Sequence, residues 1–232
     1  TISTIAQWTV DGPQDGEELG WSVSTAGDVN GDGYADVIVG EPRYDGFLTS
    51  LNGRARIFLG GPSGVSTTAS WSVIGPNNSQ FGYSVSTAGD VNGDGYDDVI
   101  VGAPYYSNDL TSEGLVRVYY GSSTGPSTTA SWQREGNADL GNAGYSVATA
   151  GDVNGDGYDD LLVGANGYGN GAADEGRAYL YLGSAGGLAA APAWTAEGNN
   201  VAYGAAGSSL AGIGDVNGDG LDDVLVGAPE PG

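Results

Sequence analysis

The phrase Asp-Val-Asn-Gly-Asp-Gly occurs four times in this chain, and each copy is followed three residues later by a further aspartate. Counting each first aspartate as position one, oxygen-bearing side chains stand at positions one, three, five and nine. The four sets are Asp28, Asn30, Asp32 and Asp36; Asp90, Asn92, Asp94 and Asp98; Asp152, Asn154, Asp156 and Asp160; and Asp215, Asn217, Asp219 and Asp223. Oxygen donors alternating along a tight loop suit a hard cation such as Ca2+, and the glycine at position six permits the sharp bend. Position seven (Tyr34, Tyr96, Tyr158 and Leu221) can vary in side chain if it contributes only its backbone carbonyl. Position eight is Ala35 in the first copy and aspartate in the others, as befits a residue that is not a ligand. The pattern therefore predicts about four bound Ca2+, one per copy.

Two other readings of the phrase fit less well. Asn-Gly and Asp-Gly pairs make hairpin turns, but a turn does not call for three further aligned carboxylates. A helix–loop–helix calcium site needs glutamate at position twelve and a helix on either side. Position twelve here is Val39, Val101, Val163 and Val226, each inside an apolar run that reads as a strand.

Charge and composition narrow the chemistry further. Against 29 acidic residues there are six basic ones, all arginine, giving a formal charge of −23. Such a field repels nucleic acid and anionic membrane surfaces and attracts cations. The chain has no cysteine, which removes disulfides, zinc–thiolate sites and thiol catalysis, and no histidine, which removes the usual general base. Carboxylates could in principle cleave glycosides, but the paired aspartates are taken up by the cation pattern. The expectation is a chain that is not an enzyme. No apolar run approaches 18 residues, so no membrane insertion is expected. A start at Thr1 reads as a mature or excised portion of something longer.

The elements that must hold these loops repeat with them. The first aspartates are spaced by 62, 62 and 63 residues, and Trp8, Trp71, Trp132 and Trp194 keep nearly the same interval. A small-residue strand precedes each acidic phrase (19–27, 81–89, 143–151 and 206–214), and a β-branched run follows it (37–42, 99–104, 161–166 and 224–229). A third, alternating strand spans 53–60, 114–121 and 176–183, and the tryptophan segments supply a fourth. Four-stranded antiparallel units in series, with no helical period, predict an all-β fold, a β-propeller of three complete blades and an incomplete fourth. The repeat units are 1–18 as a closing strand, 19–80, 81–142, 143–205 and a partial 206–232, within a single propeller region over 1–232. The tryptophans are expected to pack in the core or between blades rather than to form a ligand platform. The fourth blade lacks its third strand, and an unfinished sheet edge favours association, as a homo-oligomer through that blade or within a larger ring.

Phe81-Gly82 before the second loop and Gly102-Ala103-Pro104 after it carry a resemblance to the FG-GAP repeat, and Gly227-Ala228-Pro229 repeats the second half. Gly40-Glu41-Pro42 and Gly164-Ala165-Asn166 depart from it, and Leu19, Ala143 and Ala206 replace the phenylalanine. The resemblance implies an integrin-alpha-like propeller of bacterial type, with structural calcium loops between the first and second strands of each blade. It also implies a ligand face built from other loops, here 43–52, 105–113 and 166–175. The function so implied is adhesion or binding of a protein or glycan ligand by an extracellular or cell-surface protein. The alternatives are a carbohydrate-binding lectin, with Tyr44, Tyr105, Tyr106 and Tyr168 as stacking candidates, and an accessory domain of a larger secreted enzyme.

Overall fold

Valine, isoleucine and leucine fill the runs that follow the acidic phrases, and in the first three repeats these runs become the most deeply buried strands of the fold, because β-branched side chains pack well on a pleated surface covered on both sides. A computed structural model of the protein describes residues 8–12, 16–45, 50–171, 173–198 and 203–229. Fourteen strands lie among them. The first blade holds β1 (Ser22–Gly27), β2 (Asp36–Glu41), β3 (Arg54–Phe58) and β4 (Trp71–Ile74). The second holds β5 (Ser84–Gly89), β6 (Asp98–Ala103), β7 (Leu115–Tyr119) and β8 (Trp132–Glu135). The third holds β9 (Ala143–Gly151), β10 (Asp160–Ala165), β11 (Arg177–Tyr181) and β12 (Trp194–Glu197). β13 (Ser209–Gly214) and β14 (Asp223–Gly227) form the partial fourth. Within each blade the strands are antiparallel and follow one another in chain order, three sheets having four strands and the last having two.

The blades stack face to face with their first strands side by side, β1 against β5, β5 against β9 and β9 against β13. The core therefore lies between sheets rather than within one. Ile38 and Ile57 of the first blade share a buried cluster with Val85, Val99 and Tyr119 of the second. Ile100 and Val118 repeat the arrangement toward Val147, Leu161 and Tyr181 of the third. Leu162 and Leu180 repeat it toward Leu210 and Val224 of the fourth. This is the β-propeller that the repeat pattern predicts, with blades covering one another's faces.

The row of blades is open. Val23, at the column of buried Val85 and Val147, is 63% exposed on the leading face of the first blade. Leu225, at the column of buried Ile38, Ile100 and Leu162, is 60% exposed on the trailing face of the fourth. A compact ring of four blades would bury both; the described blades do not close into one. Nor is an opening strand formed within residues 8–12, and residues 1–7 lie outside the described residues. Trp8 nevertheless takes the place expected of an outer-strand tryptophan, its ring edge-on to Phe58 at 5.3 Å and its Nε1–H donating to the Ser66 carbonyl at 2.8 Å.

The two motif halves explain each other sterically. Gly82 donates its amide to the Gly102 carbonyl at 3.0 Å, and Phe81 is fully buried where its segment meets Gly53 in a parallel bridge. A Cβ on Gly40, Gly102 or Gly164 would meet the carbonyl oxygen of Gly82, Gly144 or Gly207 at 1.9, 2.1 or 2.0 Å. Blades approach so closely at this point that only glycine fits. The departure at Glu41 has a local reason. Its buried carboxylate takes Arg54 and Arg56 of β3, where the second blade pairs Ala103 with Leu115.

Candidate metal centres and the faces around them

Each first strand delivers the chain into its acidic loop through a bulge. Thr25 Oγ1 accepts the amide of Gly27 at 3.0 Å, and Gly27 turns with φ of 75°. The loop that follows is the same in all four repeats. Asp28 Oδ1 accepts the amides of Gly31 and Asp32, and Oδ2 accepts that of Gly33. The first of these contacts measures 2.8 Å, and its equivalents at Asp90, Asp152 and Asp215 measure 2.7, 2.7 and 2.6 Å. Asn30 Oδ1 accepts the amide of Asp32 at 3.0 Å, and Asp32 Oδ1 that of Tyr34 at 3.0 Å. Positions one, three and five are thereby drawn to one side of a loop whose glycines at four and six are both left-handed, with φ of 71° and 87°.

Position nine sits deeper. Asp36 Oδ2 accepts the Val29 amide at 3.0 Å and Oδ1 the Gly60 amide at 2.8 Å, tying the loop to the end of the third strand. Asp98 and Asp160 repeat this toward Gly121 and Gly183. Burial pushes the Asp98 carboxyl up to about 7, against its two amide hydrogen bonds and with help from the charges of Asp94 and Asp90. Asp160 is pushed up to about 6 for the same reasons, and Asp36 is also raised. Asp223, with no third strand beside it among the described residues, keeps only the Val216 contact, at 3.0 Å.

Every donor in these loops is a carboxylate, amide or carbonyl oxygen, and among the described residues none of the loop aspartates is salt-bridged to arginine. Such a donor set fits a hard divalent cation, since buried carboxylates without a counter-charge gain most from one. Among the described residues no three acidic side chains are gathered at metal-binding distance. The carboxylates are instead spread over loop amides, each of which occupies one lone pair and leaves others for a cation.

The opposite end of the blades carries aromatic residues. Trp21 and Tyr83 stand just before β1 and β5, and Tyr145 lies early in β9, with ring centroids 5.5 Å and 5.2 Å apart along the row; Tyr105 adjoins Tyr83 at 5.9 Å. Burial, followed by the Tyr145 hydroxyl, holds the Tyr83 phenol above its ordinary range. Trp21 is exposed. The signal for this row was the residue after each Leu-Gly, Phe-Gly or Ala-Gly pair, which the sequence reading passed over in favour of the variable loops. Of those loops, 46–49 and 172 lie outside the described residues. Their tyrosines are largely engaged in packing. Tyr44 is buried beneath the Arg54 guanidinium at 3.7 Å, Tyr168 holds Arg177 at 3.7 Å, and Tyr106 packs against the core between the first two blades.

The FG-GAP repeat family matches residues 19–58, 81–119, 143–181 and 206–232. Integrin alpha pat-2 of Caenorhabditis elegans is 33% identical over 94% of this chain and 18% of its own length. Integrin alpha-5 of Xenopus laevis is 33% identical over 92% of this chain and 20% of its own length. Integrin alpha-7 of Rattus norvegicus is 36% identical over 63% and 12%. The chain thus spans 12% to 20% of the length of these relatives. Four family matches, each containing one acidic loop between the first two strands of a blade, place the protein in the FG-GAP repeat family, with an integrin-alpha-like propeller.

Proposed function

We propose that the chain is a non-catalytic, calcium-stabilised propeller segment serving adhesion or ligand binding in an extracellular or cell-surface protein. The observation that carries this reading is the acidic loop repeated with one hydrogen-bond pattern on four blades, in a chain similar over more than nine-tenths of its length to integrin alpha proteins. Calcium would be held by the oxygens at positions one, three, five and nine and by the carbonyl of position seven. It would supply charge neutralisation where the buried carboxylates have none, locking each loop to the strands beneath.

The ligand, a protein or a glycan, would approach the end of the blades away from these loops, where Trp21 and Tyr145 present aromatic surface. The lectin reading loses support because Tyr44 and Tyr168 are already stacked on arginines. Absence of histidine and cysteine supports a binding role over a catalytic one. No described helix is long and apolar enough to cross a membrane. The exposed faces of the first and fourth blades support association through the incomplete blade, with a second copy as one partner; molar mass by light scattering in calcium checks this.

Thermal unfolding in millimolar calcium and in chelator tests the central claim. A cation that binds only the folded state stabilises by mass action, about 2.7 kcal/mol per site at a hundredfold excess over its dissociation constant. A clear rise in Tm with calcium is expected. Identical curves in the two conditions would sink the structural-site reading.

A further inference from the structure

Position eight of the acidic phrase does not serve its own loop. Asp97 Oδ2 accepts the backbone amide of Asp28 at 2.7 Å, Asp159 Oδ2 that of Asp90 at 2.8 Å, and Asp222 Oδ2 that of Asp152 at 2.9 Å. Each bond crosses from one blade to position one of the preceding blade's loop. A backbone bond runs alongside, from the amides of Asp97, Asp159 and Asp222 to the carbonyls of Asp28, Asp90 and Asp152, at 3.2 Å in every case. The glycine before each loop is fitted to this arrival. A Cβ on Gly27, Gly89 or Gly151 would lie 2.3, 2.2 or 2.0 Å from the incoming carboxylate, whereas one on Gly214 would meet nothing within 4 Å.

The neighbouring residue completes the contact. Tyr96 lies over Gly31 of the preceding loop, Tyr158 over Gly93 and Leu221 over Gly155, so closely that a Cβ there would come within 2.7, 2.5 and 2.9 Å. Two adjacent side chains, at positions seven and eight, thus clamp the loop of the blade before. Ala35 stands at position eight of the first blade, and among the described residues no acidic loop precedes it.

We propose that Asp97, Asp159 and Asp222 are positioning residues for the cation loop of the preceding blade, so that each loop's calcium affinity is set partly by the blade that follows. The inference rests on the calcium reading above. A carboxylate bonded to the position-one amide fixes the residue whose own side chain organises the loop, and its charge adds to the attraction for a cation. Binding free energies are reciprocal, so a cation in one loop also strengthens the docking of the next blade. The dependence runs in one direction along the row. It leaves the Asp215 loop, against which no such aspartate stands among the described residues, as the weakest of the four.

Amide NMR during a calcium titration reads the loops separately, with Gly33, Gly95, Gly157 and Gly220 each reporting one. In Asp97→Ala the dissociation constant at Gly33 should rise roughly tenfold or more, the scale of losing a partner that orients a metal ligand. Gly95, in the loop carrying the substitution, should keep its wild-type affinity. Asp97→Asn retains an acceptor for the Asp28 amide and should recover part of the loss; it also serves if the alanine variant does not fold. Ala35→Asp should change none of the four. Unchanged affinity at Gly33, a loss confined to Gly95, or an equal loss at all four would overturn the inference while leaving the calcium reading intact. A wild-type protein whose loop amides ignore calcium would remove that reading and this inference with it.

Discussion

Trp71, on the outermost strand of the first blade, reaches across to Tyr119 on the third strand of the second, with ring centroids 5.0 Å apart at 72° and the indole Nε1–H on the Ser127 carbonyl at 3.0 Å. Trp132 makes the same edge-on contact with Tyr181 at 5.0 Å and donates to the Ala189 carbonyl. Among the described residues Trp194 meets no third strand of a following blade, and it is 44% exposed. The tryptophans are therefore inter-blade keys, and their value depends on having a neighbour. Trp71→Ala should cost about 3–5 kcal/mol, the scale for a large buried aromatic. Trp194→Ala should cost well under half of that. Urea denaturation of both variants checks the contrast.

The close passage of Gly102 beneath the Gly144 carbonyl gives a second contrast. Gly102→Ala drives a Cβ into backbone and should destabilise by about 2 kcal/mol or more, because the neighbouring blade must shift. Gly227 occupies the same column, but its Cβ would meet chiefly the Ser209 hydroxyl, which can rotate away. Gly227→Ala should be tolerated within about 1 kcal/mol. Differential scanning calorimetry of the pair tests whether close blade approach sets the glycine.

Glu41 is fully buried and faces Arg54 and Arg56. Removing it leaves guanidinium charge inside without its partner, so Glu41→Ala should cost about 3–5 kcal/mol. The double variant Glu41→Ala with Arg54→Leu recreates the Ala103–Leu115 pairing of the second blade, but it also takes an ion-pair partner from the buried Glu17 and leaves Arg56 in place, so it should recover only part of that loss. Denaturation midpoints of the single and double variants give the comparison. A double variant no better than the single would mean that the site cannot collapse around the apolar pair.

Asp94 is the cleanest probe of ligand identity. Its Oδ1 accepts one amide, from Tyr96 at 3.1 Å, in an exposed loop. Asp98, by contrast, ties Val91 to Gly121, so its loss would confuse metal binding with folding. Asp94→Ala, and Asp156→Ala by the same argument, should lower calcium stoichiometry by about one while leaving the calcium-free stability within about 1 kcal/mol. Isothermal titration calorimetry reads the first effect and urea denaturation the second.

The strand order of each blade and the placement of the acidic loops were legible because both depend on residues close together in sequence. A β-branched run bounded by turns reads as a buried strand wherever it occurs, and Asp28 organises its loop within five residues. What escaped the sequence were particular contacts that span a repeat. The partner of Asp28 at position 97 is 69 residues away, and only the stacking of blades brings the two together. Position eight varied once among four copies, which looked like freedom, yet the three aspartates there each bond a loop one repeat away. The aromatic row at Trp21, Tyr83 and Tyr145 likewise exists only after three blades align their first strands. The open ends were undecidable from strand counts, because closure depends on the angle between blades rather than on their number.

Because every junction between blades is built from the same two surfaces, the molecule behaves as a short one-dimensional lattice, in which the persistence of a unit depends on its immediate neighbours. Among the described residues only the second blade is flanked on both sides by complete ones. Order should therefore be deepest at β6 and fade toward both ends, so that opening begins at the edges and spreads inward one blade at a time.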